Sequence, residues 1–165
     1  MPALTAGTLA PEFSLPTVEG GKFSLEEALQ RGPVLAVFFK VTCPVCQYAL
    51  PYHERIYNNF LGQNVTIVGI SQHPRPDTTE FMREYGISLP VLLDDPRNYA
   101  VSNAYGLTIV PTFFYIAPDR EIELSSVGWV RGDFESLTGM LADAVKAQRP
   151  PIFHPGEDVA DFRSG

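Results

Sequence analysis

The chain has 165 residues, enough for one domain, and 45% of them are hydrophobic against 19% charged. Twelve basic and nineteen acidic side chains leave a net charge of −7, which repels nucleic acid and anionic lipid. No apolar run approaches the roughly 18 residues of a membrane span, and the first residues lack the features of a signal peptide. We therefore expect one cytoplasmic domain that binds neither nucleic acid nor a membrane.

Apolar runs alternate with helical patterns through most of the chain, which is typical of an α/β fold. Short strands are predicted at 13–15 and 22–23, and Ser24 with Glu27 forms a capping box for a short helix. Val34–Phe39 is a continuous apolar run, as expected of a central strand that is buried on both faces.

The pattern continues in the same order through the middle of the chain. A helix is predicted from Cys43 to about residue 60, followed by a second buried strand at 65–70. Asp77 and Glu80 predict the cap of a further helix, which ends at Gly86.

The last third of the chain predicts a hairpin and a final helix. The predicted elements are a short strand at 91–93, a helix at 99–105, paired strands at 112–116 and 122–127, and a helix ending before Pro150. Residues 150–165 form an acidic, proline-containing segment, in which residues 152–165 carry too little apolar content to form an element. We therefore divide the chain into a domain at 1–149 and a tail at 150–165.

The chain has only two cysteines, three residues apart in Thr42-Cys43-Pro44-Val45-Cys46. A helix start offers unpaired N–H groups and the positive end of the helix dipole, which favour a thiolate at Cys43. Pro44 suits an early helix position because its missing N–H costs nothing there. Cys46 lies on the same helical face and can resolve a mixed disulfide. The sequence predicts catalytic roles for both cysteines.

Other interpretations of this cysteine spacing remain open. Two cysteines at this distance are also half of a zinc site, although the histidines at 53, 73 and 154 are not paired at ligand spacing. They could also be inert core residues. We predict neither a metal nor a cofactor, and favour redox chemistry.

A second candidate feature is Val110-Pro111, directly before the predicted strand at 112–116. Proline at a strand start is ordinary. In a redox fold, however, we predict that this bond is cis and faces the cysteines, with backbone groups of Val110 free to pair with a substrate. We place substrate contacts at Val110 and Pro111, and at Thr42 and Pro44 beside the first cysteine.

The run from Val37 to Cys46, followed by Leu50-Pro51, resembles the TlpA-like branch of the thioredoxin superfamily, which grades into the AhpC/TSA peroxiredoxins. Further landmarks agree in order, and the resemblance covers roughly residues 8–147. It implies a thioredoxin-like α/β fold, with a central mixed sheet flanked by helices and an N-terminal extension. It also implies dithiol/disulfide exchange with protein or small-molecule disulfides and a thiol electron donor.

The sequence also departs from its families. Val37 stands where thioredoxins carry an acidic residue, and Ala49 where TlpA-like proteins carry one. Deprotonation of the second thiol is therefore expected to use water, Lys40 or another group, or to be slower. Thr42 directly precedes Cys43, so the peroxidatic pattern with threonine three residues before cysteine fails. A thiol peroxidase is therefore the second hypothesis. A non-catalytic binding module is the third.

Overall fold

A five-stranded mixed sheet lies at the centre of the computed structural model, which describes residues 2–165. In chain order the strands are β1 (Ser14–Pro16), β2 (Lys22–Ser24), β3 (Val34–Phe39), β4 (Thr66–Ser71), β5 (Val91–Leu93), β6 (Thr112–Ile116), β7 (Ile122–Val127), β8 (Trp129–Val130) and β9 (Phe162–Arg163). The helices are α1 (Leu25–Leu29), α2 (Pro44–Asn59), α3 (Arg75–Tyr85), α4 (Ala100–Ala104) and α5 (Arg131–Ala144).

The strand order in the central sheet is β5-β4-β3-β6-β7. β3 pairs in parallel with β4 and antiparallel with β6, while β5 and β7 form the two edges. The small pairs β1-β2 and β8-β9 lie outside this sheet. The predicted α/β fold with a central mixed sheet and an N-terminal extension is confirmed.

Strand β3 is buried on both faces, as its continuous apolar run predicts. Leu35, Val37 and Phe39 belong to the same apolar cluster as the buried side of α2. The alternate residues, Val34, Ala36 and Phe38, pack into the second cluster with α1 and β1. Because successive side chains of a strand point to opposite faces, one strand supplies both halves of the core.

The connection from β3 to α2 fixes the start of that helix at the end of the central strand. Cys43 is the N-cap residue, with extended backbone angles, and Pro44 is the first residue of α2. The Gln47 side chain donates a hydrogen bond of 3.0 Å to the carbonyl of Val41, which holds the connecting loop against the helix.

Within residues 2–165, no helix is both long and apolar enough to cross a bilayer.

Helix α3 begins earlier than predicted. Its N-cap is Pro74, whose side chain caps nothing, and Arg75 opens the helix. The predicted cap at Asp77 and Glu80 is therefore wrong, because a proline in the first turn needs no N–H partner and its φ already suits a helix. The end at Gly86 is confirmed, where φ of +66° takes the left-handed conformation.

The segment 150–165 is ordered against the domain, so the prediction that it forms no element is wrong. Ile152 and Val159 are buried, and Phe162–Arg163 forms β9 beside β8. The few apolar side chains suffice because they enter a cluster of aromatic rings that already exists around Trp129.

Candidate active site

The N-cap position leaves the Cys43 sulfur at the start of α2 with two polar contacts. The backbone N–H of Cys46 lies 3.3 Å from Cys43 Sγ and donates to it. The Cys43 thiol in turn donates to the carbonyl oxygen of Val110, at 3.5 Å. An N–H pointing at the sulfur stabilises a thiolate, so the geometry suits Cys43 as a nucleophile.

Cys46 lies one helical turn further on and is fully buried, whereas Cys43 is partly exposed. Burial raises the pKa of the Cys46 thiol, and the backbone hydrogen bond from Lys40 only partly offsets this. Both cysteines are free thiols. An exposed sulfur followed by a buried one can attack a substrate first and resolve the product second.

The Val110–Pro111 peptide bond is cis, as predicted. It lies directly before β6, whose first residue, Thr112, pairs with Phe38 at the end of β3. The Thr112 hydroxyl donates a hydrogen bond of 2.8 Å to the carbonyl of Ile109 and holds this loop. The pairing of β3 with β6 therefore brings Val110 to the first cysteine across 67 positions of sequence.

The structure also places Thr42 and Pro44 on either side of Cys43, both exposed. Within residues 2–165, the polar contacts of Cys43 Sγ are the Cys46 N–H and the Val110 carbonyl. Neither the hydroxyl of Thr42 nor a guanidinium group contacts this sulfur in that part of the chain. The substrate contacts predicted at Thr42, Pro44, Val110 and Pro111 stay a prediction.

A polar cavity of about 190 Å³ opens beside Val110. Its lining includes Lys40, Gln72 and Ser102. The buried Asp94 carboxylate fixes Ser102 by accepting from its hydroxyl at 2.7 Å and from its backbone N–H at 2.8 Å. Sequence analysis missed this cavity because Gln72 and Ser102 lie 30 positions apart and carry no motif.

The two positions that lack an acidic residue are both in the core. Val37 and Ala49 are buried apolar residues, and neither position supplies a carboxylate to the second thiol. Glu54 lies further along α2, but it accepts hydrogen bonds of 2.9 Å from the backbone N–H groups of Ser88 and Leu89. That carboxylate therefore joins α2 to the loop before β5. Among the described residues it forms no hydrogen bond with either cysteine.

His53 is an unexpected feature of α2. Its side chain is only 2% exposed and lies between the rings of Phe113 and Phe134. Its Nδ1 atom has no hydrogen-bond partner within residues 2–165. Burial lowers the pKa of His53 to about 3, so the imidazole is neutral near pH 7.

This burial predicts a loss of stability in mild acid. Histidine in an unfolded chain binds a proton below about pH 6.5, while folded His53 does not until about pH 3. The contribution of His53 to the free energy of unfolding is therefore fully present above pH 6.5. It falls by up to about 1.4 kcal/mol per pH unit as the pH drops towards 3. Between pH 7 and pH 5 the free energy of unfolding should decrease by about 2 kcal/mol because of His53.

A His53→Leu variant is expected to lose this contribution. Urea unfolding of the reduced protein at pH 7 and pH 5 measures it, and the drop in unfolding free energy should be about 2 kcal/mol smaller in the variant. A His154→Leu variant is the control, because that histidine is exposed and should leave the drop unchanged. An equal drop in His53→Leu and the unchanged protein would contradict the prediction.

The fold and the paired thiols define a thioredoxin-like redox protein. Residues 6–125 match the AhpC/TSA family. The chain belongs to the AhpC/TSA family.

Several relatives carry functional names. The chain is 27% identical to the thiol-disulfide oxidoreductase ResA of Bacillus subtilis strain 168, over 94% of this chain and 79% of that protein. It is 30% identical to ResA of Oceanobacillus iheyensis, over 86% of this chain and 74% of the relative. It is also 28% identical to a Helicobacter pylori protein named "Putative peroxiredoxin bcp", over 64% of this chain and 70% of that protein.

Solved structures agree with this fold. The thioredoxin domain of a thiol-disulfide oxidoreductase from Bacteroides vulgatus superposes with a TM-score of 0.74 at 21% identity, covering 84% of this chain and 99% of that one. A thiol:disulfide interchange protein from Chlorobium tepidum TLS has a TM-score of 0.68 at 27% identity, covering 85% and 98%. The thioredoxin-like fold predicted from the sequence is confirmed.

Proposed function

We propose that this protein is a thiol-disulfide oxidoreductase in which Cys43 attacks and Cys46 resolves. The observation that carries the proposal is the arrangement of the two sulfurs at one helix start. Cys43 Sγ is partly exposed and accepts the Cys46 N–H at 3.3 Å, while the Cys46 thiol is fully buried behind it. The thiol-disulfide oxidoreductase names of its relatives agree with this chemistry.

The reaction follows from these positions. The Cys43 thiolate attacks one sulfur of a disulfide, forms a mixed disulfide and releases the other sulfur as a thiolate. Cys46 then loses its proton, attacks Cys43 Sγ and releases the second substrate thiol. Burial raises the Cys46 pKa, which disfavours this second deprotonation. A thiol donor reverses the sequence and restores both thiols.

We propose that the substrate is recognised by the backbone beside the cysteines. The carbonyl of Val110 lies 3.5 Å from Cys43 Sγ, so a substrate chain that pairs with Val110 has its own sulfur near the nucleophile. Thr42 and Pro44 are exposed on the two sides of the attacking sulfur and would border the same groove. Protein and small-molecule disulfides both fit this description.

Peroxide reduction is the second candidate function, because relatives from two Helicobacter pylori strains are named as peroxiredoxins. Cleavage of an O–O bond needs donors that stabilise charge on the leaving oxygen. Within residues 2–165, no arginine or threonine hydroxyl contacts the Cys43 sulfur, which instead contacts the Cys46 N–H and the Val110 carbonyl. The site therefore favours disulfides over peroxides.

A Cys46→Ser variant tests the two roles. It should form a stable mixed disulfide through Cys43 with 2-hydroxyethyl disulfide, because no second thiol remains to release the bound half. Intact mass spectrometry should find one substrate half per protein. In the matched Cys43→Ser variant the buried Cys46 should remain unmodified over the same time. Modification of Cys46 in that control, with none at Cys43 in Cys46→Ser, would reverse the assigned roles.

The cytoplasmic location and the lack of a nucleic-acid or membrane partner stay predictions. They rest on the acidic net charge of −7 and on the sequence features described above. Fractionation of cells that express the protein at its natural level would test the location.

A further inference from the structure

The end of the described chain returns to the candidate active site. We call residues 159–165 the strap. Its strand β9 (Phe162–Arg163) pairs antiparallel with β8, with Arg163 opposite Trp129. The Arg131 backbone N–H also donates to the Asp161 carbonyl at 2.9 Å. The strap thus forms a two-stranded sheet with β8, the short strand that follows β7.

Two further hydrogen bonds join the strap to the rings beside the cysteines. Trp129 Nε1 donates to the carbonyl of Ala160 at 2.6 Å, and the Ala160 N–H donates to the hydroxyl of Tyr48 at 3.0 Å. The guanidinium of Arg163 stacks over the Tyr48 ring, 4.8 Å from its centroid. Tyr48 lies on α2, two residues after Cys46, so the strap is fastened next to the thiols.

Beyond these anchors, the strap reaches the backbone that flanks the nucleophile. A Cβ built on Gly165 would overlap the carbonyl oxygen of Val110 and a methyl group of Ile109. That same Val110 oxygen lies 3.5 Å from Cys43 Sγ. Gly165 therefore covers the acceptor with which an extended substrate chain would pair.

The contact at this end is steric. No hydrogen bond joins Ser164 or Gly165 to Val110 among the described residues, whereas Ala160 has two. Ser164 and Gly165 are therefore held at Val110 only through the anchors that precede them, so loosening an anchor at Ala160 frees this contact. A segment whose contact with Val110 has no hydrogen bond of its own has the properties of a movable cover.

We propose that the strap is a specificity-determining segment that occupies the substrate-binding edge at Val110 and restricts access by folded protein disulfides. This inference rests on the proposed disulfide exchange at Cys43. A small disulfide needs only the exposed sulfur of Cys43 and reacts with the strap in place. A protein disulfide needs its backbone against Val110 and must first displace Gly165, so its apparent affinity is reduced by the fraction of molecules with the strap open.

Two variants loosen the strap at different points. Gly165→Val removes the fit against Val110, because its side chain has no room beside that carbonyl. Tyr48→Phe removes only the hydroxyl that accepts the Ala160 N–H. Loss of one such hydrogen bond shifts the opening equilibrium by roughly 2- to 12-fold, and we expect kcat/KM for insulin, a protein disulfide, to rise by a similar factor in Tyr48→Phe. In Gly165→Val the steric overlap should raise kcat/KM for insulin as well.

The control substrate is 2-hydroxyethyl disulfide, whose turnover should stay within about twofold of the unchanged protein in both variants. Gly139→Ala is the control variant, because a Cβ at that position of α5 meets nothing within 4 Å. It should change neither rate. Insulin reduction that is unchanged or slower in both strap variants, with the small disulfide still reduced, would contradict the proposed role of the strap. The proposed function would stand. Failure of the unchanged protein to reduce either disulfide would overturn both.

Discussion

Replacing Cys43 by serine is expected to reduce catalysed disulfide exchange by about 10³-fold or more, to the background rate. A serine hydroxyl stays protonated at neutral pH and cannot attack a disulfide sulfur. Cys46 cannot take over, because its thiol is fully buried and burial raises its pKa. Steady-state reduction of 2-hydroxyethyl disulfide with a thiol donor measures the loss.

The fold of this variant should be unaffected. Cys43 is the N-cap residue of α2 and accepts the Cys46 N–H, and serine is among the preferred N-cap residues. Its thermal unfolding should therefore match or exceed that of the unchanged protein. A correctly folded Cys43→Ser variant that retains turnover within about tenfold would show that another group is the nucleophile.

Much of the fold could be predicted because its central elements have strong local patterns. The six apolar residues Val34–Phe39 predict a strand buried on both faces, and the structure has the strand with those bounds. The motif with Cys43 and Cys46 predicts both the helix start and the order of the two thiols along it. The Val110–Pro111 bond is cis as predicted, through the family resemblance and its position before β6.

The segment 150–165 could not be predicted in the same way, because its order comes from distant partners. Trp129 supplies a ring cluster and an N–H that accommodate Ala160 and its neighbours. Arg55 on α2 pairs with Glu157 at 2.7 Å, 102 positions along the chain. Such contacts leave no periodic pattern within the segment, so composition alone suggested a tail without an element.

The burial of His53 could not be predicted for a related reason. Its neighbours on α2 indicate a helical face but not which rings will close over it. In the structure Phe113 from β6 and Phe134 from α5 enclose the imidazole. The burial of this polar ring depends on the packing of three elements against one another, and no local sequence pattern predicts that packing.

The preference for disulfides over peroxides is the second large effect expected of this site. Donors that stabilise developing charge each contribute about 10²–10³ in rate when present. Within residues 2–165, no arginine or threonine hydroxyl contacts Cys43 Sγ, so peroxide cleavage lacks that contribution. Disulfide exchange needs only the exposed sulfur of Cys43 and the resolving thiol of Cys46. The reduced protein should therefore react faster with a small disulfide than with hydrogen peroxide.

A paired stopped-flow experiment on the reduced protein tests this claim most directly. Trp129 is the single tryptophan and lies 5.2 Å from the ring of Tyr48, near the thiols on α2, so its emission can follow their oxidation. Samples are mixed with excess 2-hydroxyethyl disulfide or hydrogen peroxide, and acid-quenched thiol counts confirm the signal. The account predicts a larger second-order rate constant for the disulfide. Oxidation by peroxide that is orders of magnitude faster would contradict it and make Cys43 a peroxidatic cysteine.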